Sequence, residues 1–206
     1  MSKKYIIILF ILLIIVFGIY FISSSSQKPV TEHTSIHKNS SVTITRQIQN
    51  HMTITSGAFQ NNSLIPPKYT CDGKGINPPL TFSNVPKNAK SLVMLMDDHD
   101  VPKNLKPDGI FDHWTIYNID PTTTEIAENS TPAGTQGLNG IGKAQYTAVC
   151  PPDKAHHYQF RLYALDTRLT FPEPTKATKE MVIEKMQGHI IEQAELIGIY
   201  NRPQNK

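Results

Sequence analysis

The sequence predicts a mostly β protein: an antiparallel β-sandwich with a C-terminal helix, set behind an N-terminal transmembrane helix and a flexible tether. Three features lead there. Short β-branched and aromatic runs recur along most of the chain. Turn-forming clusters separate them, drawn in large part from fifteen prolines. Near the end, apolar residues take up helical spacing instead.

At the N-terminus, Lys3 and Lys4 precede the uncharged run Tyr5–Ile22. As a helix this run is about 27 Å long at 1.5 Å per residue, close to the thickness of a bilayer's hydrocarbon core. Residues 1–22 are expected to be a signal anchor in the cytoplasmic membrane. The lysines then stay inside, and the rest of the chain lies on the extracytoplasmic (periplasmic) side. Cleavage beside Ser23 and Ser25 would instead give a secreted form. Residues 23–50 are rich in Ser, Thr, Asn and Gln and have few large apolar groups, so burial cannot offset the entropy of ordering them. They read as a flexible polar linker. Residues 51–206 are long enough for one domain with a proper core.

Strand-like runs in that domain are MTITSGAF (52–59), LTFSNV (80–85), SLVMLMD (91–97), HWTIYNI (113–119) and YQFRLYALD (158–166). In the last, Tyr158, Phe160, Leu162 and Ala164 fall on one face and Gln159, Arg161 and Tyr163 on the other. Turn signals lie between: PP at 66–67, DGKG at 72–75, KPDG at 106–109, CPP at 150–152. Met186, Ile190, Ala194 and Ile197 form an apolar stripe at spacings of four, four and three, which predicts a helix over roughly Lys176 to Ile197.

The formal net charge of +3 comes from dispersed Lys and Arg. No basic run interleaves with aromatics, which argues against nucleic acid as a partner. Cys71 and Cys150 both fall in the exported part, where an even count points to a disulfide. Neither sits in a C-x-x-C pair, so zinc and redox-motif roles are not indicated. No cofactor and no metal are expected.

The segment MDDHDVPK (96–103) raises a question of charge. Asp97, Asp98 and Asp100 follow an apolar strand and repel one another unless something compensates them. Three further stretches carry acid–base groups: Asp112-His113, Tyr146 before CPP, and His156-His157-Tyr158. If their strands are antiparallel neighbours, these ends gather at one edge of the sheet. There histidine can carry a proton, aspartate can fix its tautomer, and tyrosine can donate to an anion.

In order and spacing, YTCDGKGINPPLTFSNVP (69–86), DHDVP (98–102), DHWTIYNI (112–119), CPP (150–152), HHYQFRLYALD (156–166) and AELIGIYNR (194–202) resemble the phosphatidylethanolamine-binding protein family, which includes the Raf kinase inhibitor proteins. The likeness is to its bacterial and archaeal branch. The resemblance implies a β-sandwich with a C-terminal helix and a small anion pocket. The family's Asp-Pro-Asp-x-Pro motif falls on Asp98 to Pro102, its Trp-His-Trp or His-His-Phe histidine on His113, and its Thr-His-Arg-Tyr segment on Ala155 to Tyr158. The ligand-binding residues it implies are Asp98, Asp100, His113, Tyr146, His156 and Tyr158. The expected ligand is a small phosphate-bearing molecule or phospholipid head group, and occlusion of a protein target is a further expected role. No catalysis is expected. The alternatives are a metal-assisted phosphoesterase and an envelope protein that binds a partner through its surface.

Four positions depart from the family pattern. His99 replaces a proline, Asp112 stands where an aromatic or histidine precedes His113, and His157 replaces an arginine. The loop before Pro-Pro reads Thr147-Ala148-Val149-Cys150 without glycine. Asp112 is expected to add negative charge beside the pocket.

Overall fold

The structure, a computed structural model, describes residues 50–203. The expected membrane span Tyr5–Ile22 and nearly all of the linker lie outside the described residues. Among the described residues, no helix is long and apolar enough to cross a membrane.

Two sheets face each other. The smaller has three strands in the order β1 (Thr53–Thr55), β3 (Leu80–Ser83), β6 (Glu125–Ile126). The larger has six, in the order β2 (Ser63–Leu64), β9 (Ile190–Tyr200), β8 (His156–Leu165), β4 (Ser91–Asp98), β5 (Phe111–Ile119), β7 (Thr135–Gln136). Every pairing is antiparallel except β2 with β9.

Side chains alternate across the large sheet, so each strand serves two layers. Met94 and Met96 of β4, Trp114 and Ile116 of β5, and Tyr158, Phe160 and Leu162 of β8 pack against Ile54, Leu80 and Phe82 of the small sheet. Val93, Leu95, Tyr117 and Tyr163 point the other way, onto Val182 and Met186 of the helix α1 (Lys179–Met186). This two-sided cover explains why β4 is buried at every position, and why Leu92–Met96 within it is a continuous apolar run.

The expected long C-terminal helix is not there. α1 begins after Thr178, whose hydroxyl accepts from the Met181 N–H, and it ends at Met186. Gly188, at φ +78°, then turns the chain in a conformation that side chains resist. Ile190–Tyr200 follows as a strand paired along the length of β8. The apolar positions that suggested a helix are shared between two elements. Leu196, Gly198 and Tyr200 alternate inward with period two, and Ala194 packs on the core with them. The last element is thus a strand, with the helix before it. The expected strand over residues 52–59 shortens to Thr53–Thr55, because the Ser56 hydroxyl accepts the Ala58 N–H and turns the backbone.

Candidate functional site

The sheet brings the end of β4 beside the starts of β5 and β8. Asp98 pairs with Phe111 on one side and with Tyr158 on the other. Between the pairs Met96–Trp114 and Asp97–Asp112, β5 holds one extra residue, His113. A β-bulge of this kind re-aims a side chain. Here it turns His113 to the small-sheet side, edge-on to Tyr158 at 5.2 Å between ring centres and to Phe111 at 4.8 Å.

A cavity of about 530 Å³ opens at this corner, lined by Asp98, Val101, Leu105, Lys106, Phe111, His113, Gly140, Thr147, Ala148, Cys150 and Pro152. Its polar floor is the Asp98 carboxylate and the His113 imidazole. One Asp98 oxygen accepts the Asp100 N–H at 2.8 Å, and the other meets His156 Nδ1 at 2.6 Å. His113 Nδ1 lies 2.8 Å from the Thr147 carbonyl, to which it can only donate. Burial pushes the His113 imidazole below its ordinary pKa, outweighing the Thr147 carbonyl and the nearby aspartates. His113 is therefore neutral at neutral pH, and its Nε2 is left as an acceptor.

His156 differs. Burial disfavours its charge, but hydrogen bonds to Asp98 and to Asp153 (2.8 Å from Nε2) outweigh this and raise its pKa. An imidazole donates from both nitrogens only as the cation, so His156 places a positive charge one layer behind the cavity, in addition to Lys106 on its lining. Tyr158 is fully buried beside it. Its hydroxyl has no partner among the described residues, and burial, with the charge of Asp98, raises its pKa.

Of the six residues expected to bind a ligand, Asp98 and His113 line the cavity, and His156 and Tyr158 stand behind them. Asp100 and Tyr146 do not line it. The Asp100 carboxylate accepts from the His157 N–H and meets its Nδ1, both at 2.8 Å; burial opposes its charge, yet these bonds lower its pKa. Tyr146 donates its hydroxyl to the Tyr69 carbonyl at 2.9 Å and packs on Trp114, and burial raises its pKa. Tyr146 therefore braces the neighbouring loop.

The three aspartates are each compensated separately. Asp97, fully buried, faces the helix side and is held by Arg161, by Lys179 at 3.2 Å and by His99 at 3.0 Å. Asp112 also turns to that side and pairs with Lys179, so it adds no charge to the cavity. Alternation along β4 was the available signal that Asp97 and Asp98 serve opposite faces. Nothing local in the sequence marked Lys179 as the partner of Asp97, or Asp153 as the second carboxylate on the His156 that holds Asp98.

The Thr147–Cys150 loop contributes its Thr147 carbonyl to His113, while Val149 is buried in the core. Cys150 is joined to Cys71 by the expected disulfide, which closes 79 residues of sequence. Among the described residues, no three His, Cys, Asp or Glu side chains gather in an arrangement that could hold a metal ion.

Comparison with known proteins agrees with this architecture. Residues 55–201 match the family model described as phosphatidylethanolamine-binding protein. A UPF0098 protein of Chlamydia pneumoniae is 48% identical over 151 residues, covering 73% of this chain and 99% of the relative. A UPF0098 protein of Methanothermobacter thermautotrophicus is 45% identical over 157 residues, with the same coverage. Among solved structures, a putative phosphatidylethanolamine-binding protein homologue from Chlamydia trachomatis superposes with a TM-score of 0.72 at 47% identity, over 75% of this chain and 99% of that one. YbcL of E. coli gives 0.67 at 28% identity, over 75% of this chain and 100% of its own. The two-sheet frame around this corner thus belongs to a shared architecture, and the chain is a member of the phosphatidylethanolamine-binding protein family.

Proposed function

We propose that the domain is a binding protein whose cavity takes a small phosphate-bearing ligand, either free or as the head group of a phospholipid, and that it acts by occupancy rather than by turnover. One observation carries this reading: a buried neutral imidazole, His113, fixed through Nδ1 and flanked by the Asp98 carboxylate in a cavity with Lys106 among its lining residues. A phosphate oxygen that bears a proton can donate it to Nε2. A fully ionised one can pair there only once His113 takes up a proton itself. An ammonium group on the same ligand would find Asp98.

The pH dependence follows from the depressed pKa of His113. An anion in the cavity favours the charged imidazole, so binding draws in a proton. Affinity should then rise as pH falls, and continue to rise below about 6.5, the ordinary histidine value, until the free site protonates. The test is titration calorimetry with inorganic phosphate and phosphoethanolamine between pH 8 and 5, with sulfate as a probe that does not titrate. His113→Gln retains a donor for the Thr147 carbonyl but cannot ionise. It should weaken binding about tenfold or more, the scale of one charge-assisted hydrogen bond, and flatten the profile. Equal affinity in the two proteins would overturn the reading in favour of a partner bound elsewhere on the surface.

The same proposal places the domain outside the cytoplasmic membrane, tethered through Tyr5–Ile22. Protease added from that side is expected to shed a fragment that begins in the Ser-rich linker. Recovery of an intact soluble form with its N-terminus near Ser26 would show cleavage instead.

A further inference from the structure

We propose that the Cys71–Cys150 disulfide is a thiol–disulfide exchange site that sets the shape of the ligand cavity. This rests in part on the reading of the cavity given above. Two independent features support it. Both cysteines are solvent-exposed, although the disulfide joins segments that pack on the core through Thr70 and Val149. Cys150 also lines the cavity itself, next to Ala148 and Pro152.

The two halves are anchored unequally. The Cys71 side is fixed to the body of the domain: Asp72 accepts from Tyr200 at 2.8 Å and from Arg202 at 2.9 Å. The Cys150 side holds to its surroundings through Thr147 on His113 and through the Val149 carbonyl, which accepts the Cys71 N–H at 3.0 Å. Beyond Cys150 the chain continues to Asp153, one of the two carboxylates on His156. Opening the bridge therefore leaves the cavity wall held only through Thr147 and Val149, and it loosens the Asp153–His156 contact in the same step.

The chemistry requires a dithiol. One thiolate attacks a cysteine sulfur, the Cys71–Cys150 bond breaks, and the other cysteine leaves as a thiolate. The second thiol of the reagent then displaces the bound cysteine. The products are two protein thiols and a cyclic disulfide, so the protein gains the two electrons that the dithiol loses. Linkage makes the coupling reciprocal: a ligand that prefers the bridged form protects the bridge by the same factor.

The test uses the domain with dithiothreitol and inorganic phosphate. Reduction under native conditions should proceed at a rate proportional to dithiothreitol concentration, with circular dichroism unchanged. A rate that saturates would show that reduction waits on unfolding and would overturn the proposal. In the reduced protein, amide hydrogen exchange should quicken at Thr147–Asp153 while β4 stays protected. Uniform quickening, or none, would also overturn it. Phosphate affinity should fall about fivefold or more on reduction and return on reoxidation. Cys71→Ser, which leaves the cavity lining intact, should match the reduced form. If the oxidised protein binds no phosphate, the ligand reading fails, and the exchange site is then decided by the reduction kinetics and amide exchange alone.

Discussion

Replacing Lys179 with methionine is expected to destabilise the domain by about 3–5 kcal/mol, the usual cost of removing one partner from a buried ion pair. Lys179 is buried between Asp97 and Asp112. Burial alone would lower its pKa, but the two aspartates hold it above its ordinary value. Without the ammonium, Asp97 keeps Arg161 and His99, whereas Asp112 loses its ion-pair partner. Burial already raises the pKa of Asp112 with Lys179 in place. In the variant it should rise further, so the fold comes to prefer the protonated acid, and the deficit should shrink as pH falls from 7 towards 4.5. At about 2–4 °C per kcal/mol, melting should drop by roughly 10 °C at pH 7 and by less at pH 4.5. Adding Asp112→Asn should restore much of the loss at pH 7. A deficit independent of pH, unmoved by Asp112→Asn, would show that packing rather than charge gives Lys179 its role.

Breaking the Cys71–Cys150 bridge should cost a similar amount by a different route. For a closed loop of 79 residues, the chain-entropy relation gives about 4.5 kcal/mol, with removal of native bridges typically costing about 2–5. Thermal unfolding of Cys71→Ser against the oxidised parent should show a fall of roughly 5–15 °C. Because the cost arises mainly in the unfolded chain, it should be nearly independent of pH, unlike that of Lys179→Met. An unchanged melting temperature would mean that strain in the native bridge cancels the entropic gain.

The central strands were legible from sequence because their patterns have a single physical reading. YQFRLYALD alternates cleanly as β8, and SLVMLMD is too short and too apolar to be anything but a buried strand, β4. Met186 to Ile197 was misread because positions four and three apart satisfy helical spacing even when Gly188 divides them between a short helix and a strand. β2, β6 and β7 have two residues each and exist only by pairing with distant partners, so they leave no local period. In the site, Asp98 and His113 were legible as residue types at strand ends. The bulge that aims His113 was not, because it depends on the register against β4. Asp100 and Tyr146 had the right chemistry, but His157 and Tyr69 claim their polar groups.

Asp97 and Asp98 are consecutive on β4, one anchored among cations behind the sheet and the other presented in front. Their Cα atoms are about 3.8 Å apart, so whatever immobilises the first also immobilises the second. On the proposed reading, the Asp98 carboxylate is thus secured from the reverse of its own strand, and little freedom would remain for it to lose on binding a ligand. This division of labour lets the mouth of the cavity vary cheaply. On that same reading, exchanges at Leu105, which is 63% exposed, or at Lys106 would retune which molecule is admitted while the foundation stays as it is. A change in the foundation itself would alter reception without touching the guest.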